Sequence, residues 1–176
     1  MVILMVQNKL LSDQAQDREL ATEVARTLSD KGLTLATAES CTGGAIGALL
    51  TSLAGSSIWF NGGIISYSDS SKINLLGVES EAIDAYGAVS QEVVEAMAIG
   101  GCKALAADVC VAVSGIAGPS GGSVEKPVGS VWIAWCGPGI GMSIVVSSRL
   151  YQLDGSRKEI QSVAVRMALK GIIKQS

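Results

Sequence analysis

The 176-residue chain contains no histidine. A Ser-His-Asp triad, a Cys-His dyad and a histidine-bearing zinc site are therefore excluded. Acid–base chemistry near neutral pH falls to a displaced Lys, Tyr, Cys, Asp or Glu. Charge is also sparse: 13 Lys plus Arg stand against 16 Asp plus Glu, a net −3. That balance argues against binding nucleic acid through a broad basic surface. There are four cysteines, Cys41, Cys102, Cys110 and Cys136, and none forms a C-x-x-C pair. Such spacing suits reduced core thiols in a cytoplasmic protein better than a disulfide framework. No apolar run approaches the roughly 20 residues of a membrane span, and the opening MVILMV lacks the basic flank of a signal peptide. With 48% apolar and 16% charged residues, the chain has little polar cover, which predicts a homo-oligomer, dimer or higher. Only 3 prolines occur, and no linker or repeat interrupts the pattern. Residues 1–176 read as a single domain.

What is present alternates between helical and extended patterns. Helices are predicted over residues 12–31 (capped by Ser12 or Asp13, with Leu20, Val24 and Leu28 inward), 45–53, 71–76, 90–107 (capped by Ser90) and 156–174. Strands are predicted over 33–38, 58–67, 108–114, 130–135 and 142–151. A Gly137-Pro138-Gly139 turn is expected to join the last two as an antiparallel pair. The mostly apolar strands at 33–38 and 108–114 predict a sheet covered on both faces. The fold class is thus a three-layer α/β/α sandwich with a mixed, mostly parallel sheet.

Ligands of such sheets bind beyond the carboxyl ends of the strands. Glu39-Ser40-Cys41-Thr42-Gly43-Gly44 has that placement, with two hydroxyls, a thiol and glycines that let backbone N–H groups converge on a phosphate or an oxyanion. A helix cap eased by two glycines accounts for the same residues. A second candidate is the glycine-rich stretch that follows Ser114, containing Gly115, Gly118 and Lys126; a surface excursion between strands is its alternative. No G-x-x-x-x-G-K-[ST] or G-x-G-x-x-G motif occurs, so no nucleotide cofactor is implied. Ser123-Val-Glu-Lys126 has S-x-x-K spacing without its companion motifs. Tyr67 and Lys72 stand close together. A chain without histidine needs another base to activate a serine, and a desolvated lysine can serve. An exposed helix-start lysine is the competing reading of Lys72. A Cys41 nucleophile is a further alternative.

Several segments, taken in order, resemble the CinA C-terminal domain family: Ala38-Glu-Ser-Cys-Thr-Gly-Gly44, Gly63-Ile-Ile-Ser-Tyr67 with Lys72, and Leu76-Gly-Val78. So do Gly87-Ala-Val-Ser90, Met97-Ala-Ile-Gly100, Ser114-Gly-Ile-Ala-Gly-Pro119 and Lys126-Pro-Val-Gly129. The resemblance runs from about Leu20 to Leu169. It implies an α/β/α fold and hydrolysis of the carboxamide of nicotinamide mononucleotide (NMN) to nicotinic acid mononucleotide and ammonia, in pyridine nucleotide salvage. It implies catalytic roles for Ser40, Tyr67 and Lys72, no cofactor and no metal. Glu39, Thr42, Gly43, Gly44, Ser114, Gly115, Gly118, Lys126 and Arg157 become the expected substrate-binding residues. Many members carry a further N-terminal domain, and this chain resembles the stand-alone form. Where the family tends to show Gly-Asp-Arg and a second arginine four residues on, this chain has Gly155-Ser156-Arg157 and Gln161. Those departures leave a non-catalytic nucleotide-binding or regulatory module as the alternative function.

Overall fold

A computed structural model describes the backbone over residues 2–138 and 144–175, with side chains described from residue 13 to 174 within those spans. The elements run α1 (Val2–Lys31), β1 (Leu35–Glu39), α2 (Ala45–Thr51), a 3₁₀ turn at Ser56–Ile58, β2 (Phe60–Ile65), α3 (Asp69–Leu76), α4 (Ser80–Tyr86), α5 (Gln91–Leu105), β3 (Val109–Gly115), β4 (Ser130–Pro138), β5 (Ile144–Gln152) and α6 (Arg157–Gln175). The sheet order is β2-β1-β3-β4-β5. β1 pairs parallel with β2 and β3, while β4 is antiparallel to both β3 and β5. Only β4 opposes the common strand direction, so the mixed, mostly parallel α/β arrangement is the observed one.

Strand parity divides the core in two. On one face Leu35, Val109, Val111, Val113, Val131, Ile133 and Trp135 meet Leu20, Val24 and Leu28 of α1, Ile46 and Leu50 of α2, and Ile160, Leu169 and Ile172 of α6. On the other, Ala36, Ala38, Cys110, Ala112, Ala134 and Cys136 meet α3, α4 and α5 through Leu76, Ile83, Val93, Val94 and Met97. The first face is built from large side chains and the second from small ones. Small sheet residues let α5 approach until its own backbone is the contact. A Cβ on Gly101 would run into Cys110 Sγ of the sheet, and on its other side one on Gly100 would run into the Leu76 carbonyl at the end of α3. At the amino ends of the strands, Asp108 ties β3 to β1 by accepting from the Thr34 amide (2.8 Å) and hydroxyl (2.7 Å). Those bonds hold its carboxyl below the usual range.

Four sequence expectations need correction. The first helix starts at Val2, so neither Ser12 nor Asp13 caps it. The extended pattern at 58–67 splits, because Ser56–Ile58 curls into a 3₁₀ turn after Gly55 and only Phe60–Ile65 pairs with β1. Helix α4, seven residues with a single buried apolar side chain, carries too little periodicity to be read from sequence. Finally, Gly137 and Pro138 belong to β4, paired with Val145 and Ile144. The turn expected at Gly139 lies outside the described residues.

Candidate active site

β1 ends at Glu39, and the ladder continues one residue further on either side. The Ser40 amide donates to Val113 O (3.0 Å), and the Ser66 amide donates to Glu39 O (2.8 Å). Beyond it the chain reverses through Gly43 and Gly44, both left-handed (φ 64° and 94°). The left-handed φ at Gly44 is what calls for glycine there, since the Ile65 side-chain tip beside it is free to give way. This reversal brings the first amides of α2 back over the end of β1. There the fully buried Glu39 carboxylate accepts from the Gly44 (3.0 Å), Ile46 (3.1 Å) and Gly47 (2.9 Å) amides. A carboxylate is the natural partner of a helix N-terminus, where unpaired N–H groups and the macrodipole are both positive.

The expected substrate contact of Glu39 is thereby corrected: its side chain faces α2. The Gly44 amide is occupied by it as well. The Gly43 and Ala45 amides are taken by Ser40 O (3.0 Å) and Thr42 O (3.2 Å). Of the loop's polar groups, the Cys41 amide and the Thr42 amide and hydroxyl stand without an intramolecular partner, and the hydroxyl is buried.

Lys72 reaches the same place from the other side of β1. α3 is started by a capping box, with Ser68 Oγ accepting from the Ser71 amide (3.1 Å) and Ser71 Oγ from the Ser68 amide (3.0 Å). One residue on, Lys72 turns inward and is 1% exposed, which removes the exposed-lysine reading. Its Nζ donates to Ser66 O (3.1 Å) and Tyr67 O (3.4 Å) and lies 3.4 Å from Ser40 Oγ. Burial lowers its pKa because the ammonium loses hydration; the Asp69 carboxylate at 3.8 Å opposes the shift. Cys41, beside Ser40, has its thiol pushed up to about 12, chiefly by burial. A thiolate nucleophile is disfavoured on that ground.

Tyr67 behaves differently from its expected role as Lys72's helper. Only its carbonyl touches Lys72; its hydroxyl accepts from Arg157 Nη2 (2.8 Å). Arg157 Nη1 donates to Gly118 O (2.9 Å), so Tyr67, Arg157 and Gly118 form one rim beside the Ser40 turn. Ser114, Gly115 and Lys126 are not brought into that rim. The Ser114 hydroxyl donates to Ala88 O (2.7 Å), and a Cβ on Gly115 would meet Ser130 O at 2.8 Å, so both serve packing. Lys126 Nζ donates to Tyr86 O (2.6 Å) at the end of α4. Its S-x-x-K spacing is a turn, the Lys126 amide donating to Ser123 Oγ (3.0 Å).

The two departures near residue 156 take on physical roles. Ser156 caps α6 in a reciprocal box: its hydroxyl accepts from the Glu159 amide (3.5 Å) while its own amide donates to Glu159 Oε2 (2.9 Å). Serine and aspartate are both good caps, so the start of α6 keeps its geometry. One turn beyond Arg157, Gln161 Nε2 donates to the Cys41 carbonyl (2.8 Å). Gln161 brings no charge to this position, but its amide keeps a donor there. Its i, i+4 spacing from Arg157 was the available signal that it faces the same loop. Among the described residues, no group of three His, Cys, Asp or Glu side chains is placed to hold a metal ion, and no helix is long and apolar enough to cross a membrane.

Residues 17–176 match the CinA C-terminal domain family. The chain is 43% identical over 160 residues to the nicotinamide-nucleotide amidohydrolase PncC of Escherichia coli K12, covering 89% of this chain and 93% of that protein. It is 47% identical over 154 residues to the PncC of Pseudomonas putida, covering 88% and 93%. Among solved structures, the competence/damage inducible protein CihA from Agrobacterium tumefaciens superposes with a TM-score of 0.82 at 39% identity, covering 90% of this chain and 94% of that one. The competence damage-inducible protein A from Klebsiella pneumoniae gives 0.84 at 36%, covering 90% and 96%. On this length and level of agreement, the chain belongs to the CinA C-terminal domain family.

Proposed function

We propose that the protein is a single-domain amidohydrolase that converts NMN to nicotinic acid mononucleotide and ammonia, in pyridine nucleotide salvage. The observation that carries this reading is the buried Lys72 amine, 3.4 Å from Ser40 Oγ. The names of the relatives supply the substrate.

A neutral amine has two N–H groups and one lone pair. The Ser66 and Tyr67 carbonyls match the two N–H groups, leaving the lone pair for the Ser40 proton. Ser40 Oγ attacks the carboxamide carbon while its proton passes to Lys72, giving a tetrahedral oxyanion and an ammonium. As the intermediate collapses, the carbon–nitrogen bond breaks and Lys72 returns the proton to the leaving nitrogen, which departs as ammonia. A water then attacks the ester left on Ser40, Lys72 again taking and returning one proton. The acid is released and the serine hydroxyl is regenerated. Water plus amide thus yields acid plus ammonia, with no change in Lys72.

The Cys41 and Thr42 amides, both unmatched within the protein, are the loop donors available to the oxyanion. Arg157, held between Tyr67 and Gly118, supplies a cation to the anionic mononucleotide at the rim. Cap retention by Ser156 and the Gln161 contact to Cys41 favour the enzyme over the non-catalytic alternative. The reading extends to a cytoplasmic homo-oligomer, for which the exposed Ile144, Val145 and Leu150 of edge strand β5 offer apolar surface.

The test is ammonia release from NMN by the wild type and by Ser40→Ala. Loss of at least about 10³-fold in kcat is expected for removal of a covalent nucleophile. Undiminished turnover in Ser40→Ala sinks the assignment, and binding of NMN without turnover by the wild type supports the regulatory alternative.

A further inference from the structure

We infer that Gln161 is a positioning residue for the reaction: it orients the Cys41–Thr42 peptide so that the Thr42 N–H and hydroxyl serve the oxyanion formed at Ser40. The inference rests on the amidase reading and deepens it.

The Cys41 carbonyl and the Thr42 N–H belong to one planar trans peptide unit and point in opposite directions. Gln161 Nε2 donates to that carbonyl from α6 at 2.8 Å. The carbonyl is thereby drawn toward the α6 layer, and the Thr42 N–H is turned away from it, toward the α3 side of β1 from which Lys72 enters. The Gly43 amide closes a turn onto Ser40 O, which makes this unit the turn's central peptide and opposes a full flip, since a flip would bring β-branched Thr42 to positive φ. Within that turn the Thr42 N–H meets no acceptor, so the Gln161 bond is the one hydrogen bond that sets the tilt of the plane.

The Thr42 hydroxyl gives the second observation. It is buried, with the whole residue only 4% exposed, and it has no hydrogen-bond partner. A buried hydroxyl left unpaired costs free energy unless a ligand or intermediate meets it. It sits two residues from the nucleophile, on the residue whose amide is also unmatched. The two unmatched donors of Thr42 therefore stand ready for one developing negative charge. A hydrogen bond accepted by a peptide carbonyl also strengthens the N–H of the same unit as a donor. Gln161 thus both aims and polarises the group. Its own side chain is held from solvent only in part, and it touches the loop rather than the reacting atoms.

Two measurements separate this role from the substrate assignment. The first is steady-state deamidation of NMN. The second is the rate at which a fluorophosphonate labels Ser40, followed by intact mass, which needs the nucleophile and oxyanion donors but no particular substrate. Gln161→Met removes the donor at similar volume. It is expected to lower kcat at least about tenfold with KM within about threefold, because the lost interaction belongs to the transition state. Labelling of Ser40 is expected to slow by a similar factor. Gln161→Arg, which restores a donor, is expected to recover both rates to within about threefold of wild type. A thermal melt identifies any variant that fails to fold, and the arginine variant then decides.

Wild-type labelling at Ser40 with no ammonia from NMN, together with slow labelling in Gln161→Met, refutes the substrate and leaves the positioning role standing. Unchanged kcat and labelling in Gln161→Met overturn it. So does a rise in KM alone, or a failure of Gln161→Arg to recover either rate. A wild type that does not label at Ser40 overturns both readings together.

Discussion

Arg157 and Tyr67, ninety positions apart in the chain, share a hydrogen bond of 2.8 Å. It joins the start of α6 to the loop after β2 and holds a cation at the hydroxyl of the exposed Tyr67. The tyrosine hydroxyl accordingly places the guanidinium. Tyr67→Phe is expected to raise KM for NMN about tenfold, roughly 1.4 kcal/mol, with kcat within about threefold. A fall confined to kcat would instead make the hydroxyl a participant in proton transfer.

The proposed role of Lys72 as base carries a pH dependence. With the neutral amine as the active form, kcat/KM is expected to rise with pH and level off above the pKa of Lys72. Burial brings that limb below the ordinary lysine value of about 10.4. Asp69 favours the ammonium, so Asp69→Asn is expected to move the limb to lower pH; a move to higher pH refutes the assignment of the base. Lys72→Arg stays charged at every accessible pH and is expected to lose at least about 10³-fold. The stability consequence has a definite sign. The folded state gives up its Lys72 proton at lower pH than the unfolded state does, so the Lys72 contribution makes stability rise with pH across the interval up to about 10.4. Chemical denaturation of wild type against Lys72→Met across that interval reads the slope.

Glu39 accepts three amides at the head of α2. Glu39→Gln replaces one acceptor oxygen by an NH₂ that faces N–H groups, leaving buried donors opposed. A loss of about 3 kcal/mol is expected from charge-assisted bonds of this kind, which corresponds to a fall in Tm of about 6–12 °C at this size. A melt unchanged within about 2 °C would show that α2 holds its start without the carboxylate.

Gly101 and Cys110 define the closest approach of α5 to the sheet. Gly101→Ala places its methyl against the Cys110 sulfur, and overpacking of this kind costs about 1–3 kcal/mol. Cys110→Ala empties that position. The double variant is expected to recover at least half of the Gly101→Ala loss, a coupling that a double-mutant cycle measures directly. Additive losses would mean that the helix backbone moves away.

The layers and most elements were legible because they follow from local rules. Leu20, Val24 and Leu28 recur on one helix face, Ser90 caps α5, accepting the Val93 amide, and the runs at 35–39 and 109–114 are buried throughout. The conjunction of Ser40 with Lys72 was readable only through motif register, since 32 residues separate them and no periodicity links them. What escaped was direction. Nothing in the composition of Glu39-Ser40-Cys41-Thr42-Gly43-Gly44 says whether the carboxylate turns outward to a ligand or inward to α2. The two left-handed glycines decide it by carrying the amides back over Glu39. The same holds for Ser114 and Lys126, whose partners Ala88 and Tyr86 come from 26 and 40 residues away. At Ser156 and Gln161 residue type alone hides the atom that each side chain presents. A serine still caps, and an amide still donates.

The small-residue face of the sheet has one more consequence, for the chemistry of sulfur. Cys102 on the inner face of α5 crowds against Cys110 and Cys136 of the sheet, and Cys41 is closed under its own turn. Contact with the Cys110 thiol, more than any other influence, pushes Cys102 up to about 12; contact with Cys102 raises Cys136 in turn. Reagents that require an accessible thiolate therefore find none while the sheet is shut. Iodoacetamide modifies this chain only as fast as its layers part, and counting adducts against time turns four silent sulfurs into a clock for the breathing of the fold.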